Sequence, residues 1–199
     1  MCESGQDQIA VRLRFPDQNI ILIGPSGAGK TATAPILSQM LGLGFCDTDE
    51  LITTVAGITG GEIISRWGIS HFREIEELVV RAALAVNGRV VAIGAGAWTI
   101  PSVRTAARHN CISVLLQVPR DELVRRLTGS DRVIVKMHGA AQLVDQQLAA
   151  RSQHYGMADV VIDCADLSPQ QIAERVRTAV KGLARKPANK SPSSGKEKS

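Results

Sequence analysis

The stretch Ile20-Ile21-Leu22-Ile23-Gly24-Pro25-Ser26-Gly27-Ala28-Gly29-Lys30-Thr31 decides the fold class. Its four consecutive apolar residues predict a strand buried on both faces. The glycine-rich turn that follows matches the complete GxxxxGK[ST] phosphate-loop pattern, and a helical pattern, Lys30–Leu41, opens directly behind it. Glycines let the backbone turn its N–H groups towards phosphate oxygens, and the start of a helix adds a favourable dipole. Lys30 is placed to reach the outer phosphates of a nucleotide, and the Thr31 hydroxyl to ligate Mg²⁺. Strand, loop and helix in this order supply the context that the motif requires.

Working outward, four more short apolar runs read as strands: Gly44–Cys46, Val90–Ile93, Ile112–Gln117 and Val160–Ile162. Helical patterns separate them at Lys30–Leu41, Gly61–Trp67, Phe72–Val86, Pro101–Arg108, Arg120–Leu127, Ala140–Ser152 and Pro169–Leu183. Strand–helix alternation predicts an α/β fold, a five-stranded parallel sheet covered by helices on both faces as a three-layer α/β/α sandwich. In such sheets ligands bind beyond the carboxyl ends of the strands, so the chemistry belongs just after each strand.

The unusual residues stand there. Asp47-Thr48-Asp49 follows the second strand. One carboxylate can sit near a Mg²⁺ shell while the other accepts a proton from a hydroxyl, or the pair can cap the next helix. Phe72-Arg73 opens a long helix with Glu76 one turn on. The planar fork of Arg73 suits a carboxylate ligand, and a surface pairing with a nearby Glu is the plainer alternative. Gly94-Ala95-Gly96 follows the third strand and permits close backbone approach to a ligand. Thr128 to Arg132 interrupts two helices as a lid (about residues 128–140), with Arg132 able to close over phosphates. Arg151-x-x-x-Tyr155 ends a later helix.

Composition excludes other classes. The net charge of +4 is misleading, because residues 181–199 hold six basic residues and one acid, leaving the other 180 residues at −1. Aromatic residues make up only 3%, so a stacking platform for nucleic-acid bases is missing. The four cysteines are scattered, which predicts neither a zinc cluster nor a disulfide framework. No run of some 18 apolar residues occurs, and residues 1–19 lack the apolar core of a signal peptide, so a cytoplasmic location without membrane attachment is expected. The chain divides into a polar lead-in (1–18), one domain (19–183) and a disordered basic tail (184–199) rich in Lys, Ser and Pro.

As a set, these residues resemble the shikimate kinase family of nucleoside-monophosphate-kinase-like P-loop proteins. The resemblance runs from about Ile20 to Asp163 and includes the phosphate loop, D-T-D, Gly57, Gly68 and Phe72-Arg73, the Gly-rich strand end, a lid arginine, and R-x-x-x-Y followed by Ala158-Asp159. It implies a P-loop kinase fold with a mobile lid, usually monomeric. The reaction it implies is transfer of the ATP γ-phosphoryl group to the 3-hydroxyl of shikimate, a step of chorismate and aromatic amino acid biosynthesis. Lys30 and the amides of Gly27, Ala28, Gly29, Thr31 and Ala32 would then hold ATP, with Arg126 near the adenine. Thr31 and, through water, Asp47 would hold Mg²⁺. Asp49 would contact the acceptor hydroxyls and act as base, Arg73 and Arg151 would clamp the carboxylate, and the backbone at Ala95 and Gly96 would complete that pocket. Arg132 would arrive with the lid. Lys30, Asp49 and Arg132 are the catalytic set that the resemblance gives.

The sequence departs from the family pattern at several places. Ala95 replaces the middle glycine of the strand end, which strains the backbone if its φ is positive. Ile64 stands where Phe is usual, Ile69 where Glu is usual, Val133 follows Arg132 in place of Pro, and residues 162–166 match only in part. Pro35 falls inside the helix after the phosphate loop, where it is expected to bend it. Two other readings therefore stand beside the first: a kinase for another carboxylated cyclitol or polyol, and a non-catalytic ATP-binding regulator.

Overall fold

The structure, a computed structural model, describes residues 18–129 and 133–184. Five strands form one sheet, β1 (Asn19–Ile23), β2 (Gly44–Asp47), β3 (Arg89–Ala92), β4 (Cys111–Gln117) and β5 (Val160–Asp163), in the order β2-β3-β1-β4-β5. Every neighbouring pair is parallel. Each expected strand is present, with its ends moved by no more than one residue.

The helices are α1 (Lys30–Leu41), α2 (Thr48–Ala56), α3 (Gly60–Leu84), α4 (Pro101–Asn110), α5 (Arg120–Leu127), α6 (Val133–His138), α7 (Ala140–Tyr155) and α8 (Pro169–Ala184). Alternation along the central strand builds the two layers. Ile20 and Leu22 face a core with Leu37 of α1, Leu123 of α5 and Val176 of α8, whereas Ile21 and Ile23 face a second core with Val80 of α3 and Val103 of α4. Ile20, Ile21, Leu22 and Leu37 are fully buried, each contributing about 1.5–3 kcal/mol before the entropy of ordering is counted. Helix α7 serves both layers: Leu143 and Val144 join the first core and Tyr155 the second. It therefore crosses over the carboxyl ends of the strands, where ligands belong.

Two helices differ from the sequence reading. Helix α2 has no counterpart among the expected helices, although capping of a following helix was one of the two readings of Asp47-Thr48-Asp49. Asp47 is in fact its N-cap, accepting from the Asp49 and Glu50 amides at 2.9 and 3.4 Å. The two helices expected at 61–67 and 72–86 are one element, α3, kinked at Gly68, whose φ of 84° and ψ of 170° are open to glycine but not to other residues. Helix α1 runs through Pro35, which lacks the N–H that would have met the Thr31 carbonyl. The segment read as a lid contains α6, and Val135 there is buried in the first core. The lead-in up to residue 17 and the tail from residue 185 lie outside the described residues.

Candidate active site

A cavity of about 880 Å³ opens over the carboxyl ends of β1, β2 and β3. At one end is the phosphate loop. Gly29 adopts a left-handed φ of 95° as the N-cap of α1, so the helix starts where the loop turns. Lys30 folds back, its Nζ donating to the carbonyls of Gly24 and Pro25 at 2.8 and 3.0 Å. Gly27, Gly29, Lys30, Thr31 and Ala32 line the cavity. Ala28 does not: its side chain is buried in the first core and its N–H is 3.2 Å from the Pro25 carbonyl. Arg126, on α5, borders the loop from the far side, donating to the Gly27 carbonyl at 3.2 Å and pairing with Glu122.

On the cavity floor the Thr31 hydroxyl donates to Asp47 Oδ2 at 2.7 Å. The same carboxylate therefore divides its oxygens, one capping α2 and one meeting the phosphate loop. The capping reading of Asp47 holds, and its second oxygen is turned to the phosphate-loop threonine. A hydroxyl beside a carboxylate is a hard-oxygen pair of the kind Mg²⁺ prefers. Asp49 lies one residue into α2 and lines the cavity. Between them, Thr48 accepts from the Gly94 amide at 3.1 Å and ties β2 to the strand end of β3.

The other end of the cavity is assembled from three distant segments. Arg73 is ion-paired with Glu76, a side chain only 1% exposed. Burial pushes the Glu76 carboxyl above its usual range, against the opposing pull of Arg73. The sequence reading offered Glu76 only as a surface partner. Its burial makes it the counter-ion that aims Arg73 into the cavity, and no signal short of the fold distinguishes the two. Arg151, on α7, reaches the same space with its Nη1 buried and without a hydrogen-bond partner among the described residues. A buried guanidinium nitrogen without a partner is costly unless an acceptor arrives, so this end is built for an anionic ligand. One turn on, the Tyr155 hydroxyl donates to the Ala95 carbonyl at 3.0 Å, and Trp98 donates to the His154 carbonyl at 3.0 Å. The spacing of Arg151 and Tyr155 thus delivers one residue to the cavity and the other to its shelf.

That shelf is the Gly94-Ala95-Gly96 turn. A Cβ at position 94 would collide with Glu76 Oε1 and stand 3.0 Å from Asp49 Oδ1, and one at position 96 would collide with the Arg73 guanidinium. At both glycines a side chain would displace a charged group that borders the cavity. Ala95 carries no strain, because among the described residues Asp166 is the one non-glycine with positive φ. Ile52, Ile64, Ile69 and Phe72 supply an apolar wall. Arg132 lies outside the described residues.

Comparison with known proteins identifies the scaffold. A family model described as shikimate kinase matches residues 26–181. The chain belongs to the shikimate kinase family. A shikimate kinase of Geobacter sulfurreducens is 34% identical over 165 residues, covering 82% of this chain and 91% of that one. One from a Synechococcus strain is 34% identical over 181 residues, covering 90% and 94%. The solved shikimate kinase of Acinetobacter baumannii in complex with shikimate superposes with a TM-score of 0.83 at 26% identity, covering 88% of this chain and 99% of that one. The chain is thus an ATP-dependent phosphotransferase with an alcohol group as acceptor. No helix among the described residues is long and apolar enough to cross a membrane.

Proposed function

We propose that this chain transfers the γ-phosphoryl group of ATP to the 3-hydroxyl of shikimate, releasing ADP and 3-phosphoshikimate. One observation carries the reading: a phosphate loop, Asp49 and two cationic side chains, Arg73 and Arg151, line one cavity. Phosphoryl transfer needs little covalent chemistry from a protein, so positioning and charge neutralisation are what the residues must supply.

In this reading Lys30 and the amides of Gly27, Gly29, Thr31 and Ala32 hold the phosphates, with Ala28 contributing its place in the loop. Arg126 lies on the nucleotide side. Arg73 and Arg151 hold the acceptor carboxylate, Glu76 orients Arg73, and the backbone at Ala95 and Gly96 closes the shelf. Asp49 accepts the proton of the attacking hydroxyl as its oxygen bonds to phosphorus and the bond to the ADP oxygen breaks. Arg132 is proposed, from the resemblance alone, to add positive charge at the transferring group. Thr31 and Asp47 would hold Mg²⁺, which when bound neutralises charge between the phosphates. A cytoplasmic location is consistent with the absence of a membrane-crossing helix among the described residues.

The test is ADP release with ATP and Mg²⁺ in the presence and absence of shikimate. Shikimate-dependent turnover that disappears in Asp49→Asn supports the reading. ATP binding without shikimate-dependent turnover would overturn it and return the weight to another carboxylated polyol or a non-catalytic role.

A further inference from the structure

One buried side chain at the site has no part in the chemistry above. Gln147 of α7 is 4% exposed and meets Ser26 of the phosphate loop, 7% exposed and 121 positions away in sequence. The Ser26 amide donates to Gln147 Oε1 at 2.9 Å, and Gln147 Nε2 donates to Ser26 Oγ at 3.0 Å. The amide orientation is fixed by this pairing, since a backbone N–H needs the oxygen end. Both ends of the glutamine engage one residue, as a buried amide requires.

Its place on the helix gives the contact a consequence. Gln147, Arg151 and Tyr155 stand four residues apart and so form one stripe, spanning about 12 Å along α7 at 1.5 Å per residue. The first grips the phosphate loop, the second enters the anionic-ligand end of the cavity, and the third holds the Ala95 carbonyl. Three contacts on one rigid rod fix how far the loop lies from the shelf.

We propose that Gln147 is a positioning residue: through Ser26 it sets the register between the phosphate loop and the acceptor end, and so aligns the transferring phosphorus with the acceptor hydroxyl. This inference rests on the proposed reaction. Misplacement of reacting groups by about 1 Å costs roughly a hundredfold in rate while leaving each binding step largely intact.

The experiment compares wild type, Ser26→Ala, Gln147→Leu and the double variant. For each, kcat, the KM of shikimate and the Kd of ADP are measured, together with Tm and amide hydrogen exchange at Ser26. The expected result for Gln147→Leu is a kcat lower by about ten- to hundredfold, with KM and Kd moving less than about threefold. Ser26→Ala, which keeps the backbone contact, falls by less. The double variant is no slower than Gln147→Leu, because both act through one contact. Unchanged kcat in folded Gln147→Leu, or in Ser26→Ala if the leucine variant does not fold, overturns the inference. So does a loss that appears only as lower Tm, or losses that add. The exchange measurement separates this from the reaction itself. If wild type is inert towards shikimate, the proposed function fails. In that case faster Ser26 exchange in Gln147→Leu upholds the tie between loop and helix, and unchanged exchange refutes it.

Discussion

The two ends of the cavity are built on opposite principles. The phosphate end is contiguous in sequence, running from Gly24 to Ala32, and its ligand-facing groups are largely backbone set by one strand–loop–helix junction. The acceptor end takes Asp49 from α2, Arg73 and Glu76 from α3 and Arg151 from α7. Nothing but the fold brings them together. A site made of local backbone tolerates change around it, whereas one made of side chains from separate helices depends on the packing of each.

That contrast can be broken by substitution. The largest effect is expected for Lys30→Ala, which removes the one side-chain cation of the loop: turnover falls by at least about a hundredfold, measured as ADP release. Turnover within a few fold of wild type would mean that the loop does not hold the nucleotide. Arg73→Ala comes next. Loss of a charged hydrogen bond of about 1.5–3 kcal/mol raises the shikimate KM roughly ten- to hundredfold while the ADP Kd stays put. Equal losses for both ligands, seen by calorimetry, would erase the distinction between the two ends.

Glu76→Gln is smaller and sharper. Without its counter-ion Arg73 wanders, and the acceptor KM rises about fivefold, the effect of roughly 1 kcal/mol. The pH dependence has a definite sign. Burial raises the Glu76 pKa above its unfolded value, so from about pH 4.3 upward the native state holds the proton longer than the unfolded chain does. Native stability from this group therefore declines as pH rises through that window. Glutamine lacks this decline, so the Tm of the variant relative to wild type should climb between pH 4 and pH 7. A pH-independent difference would place the Glu76 pKa near its ordinary value. The smallest effect is expected for Ala95→Gly. Because φ at Ala95 is not positive, glycine relieves no strain, acceptor affinity stays within about twofold, and stability drops by about 0.4–1 kcal/mol through the freer unfolded chain.

The same contrast governs what the sequence disclosed. The phosphate loop and the strands were legible because their signals are local: an apolar run, glycines at fixed spacing, a helix behind. Asp47 was legible as two alternatives, and only the structure gives its two oxygens separate partners. Arg73 was legible as two alternatives, a carboxylate fork or a surface ion pair, and Arg151 gained its role only through resemblance to a family. The roles of Glu76 and Gln147 were illegible for a physical reason. A carboxylate or amide on a helix reads as solvated surface until the opposing element is known, and those elements lie 18 and 121 residues away, at Gly94 and Ser26. Ala95 gave the reverse error: a feared strain that the backbone does not have.

The two glycines flanking Ala95 also shape how such a site could diverge. Any side chain at 94 would meet Glu76, and any at 96 would meet Arg73. Each glycine is thereby locked to its facing charge in one direction, since a side chain there would displace Glu76 or Arg73 and disturb the anchor. Position 95 and the isoleucine wall at 52, 64 and 69 carry no such lock. Single mutations that retune acceptor choice therefore have an open route there, while the carboxylate anchor is held in place by the geometry of its neighbours.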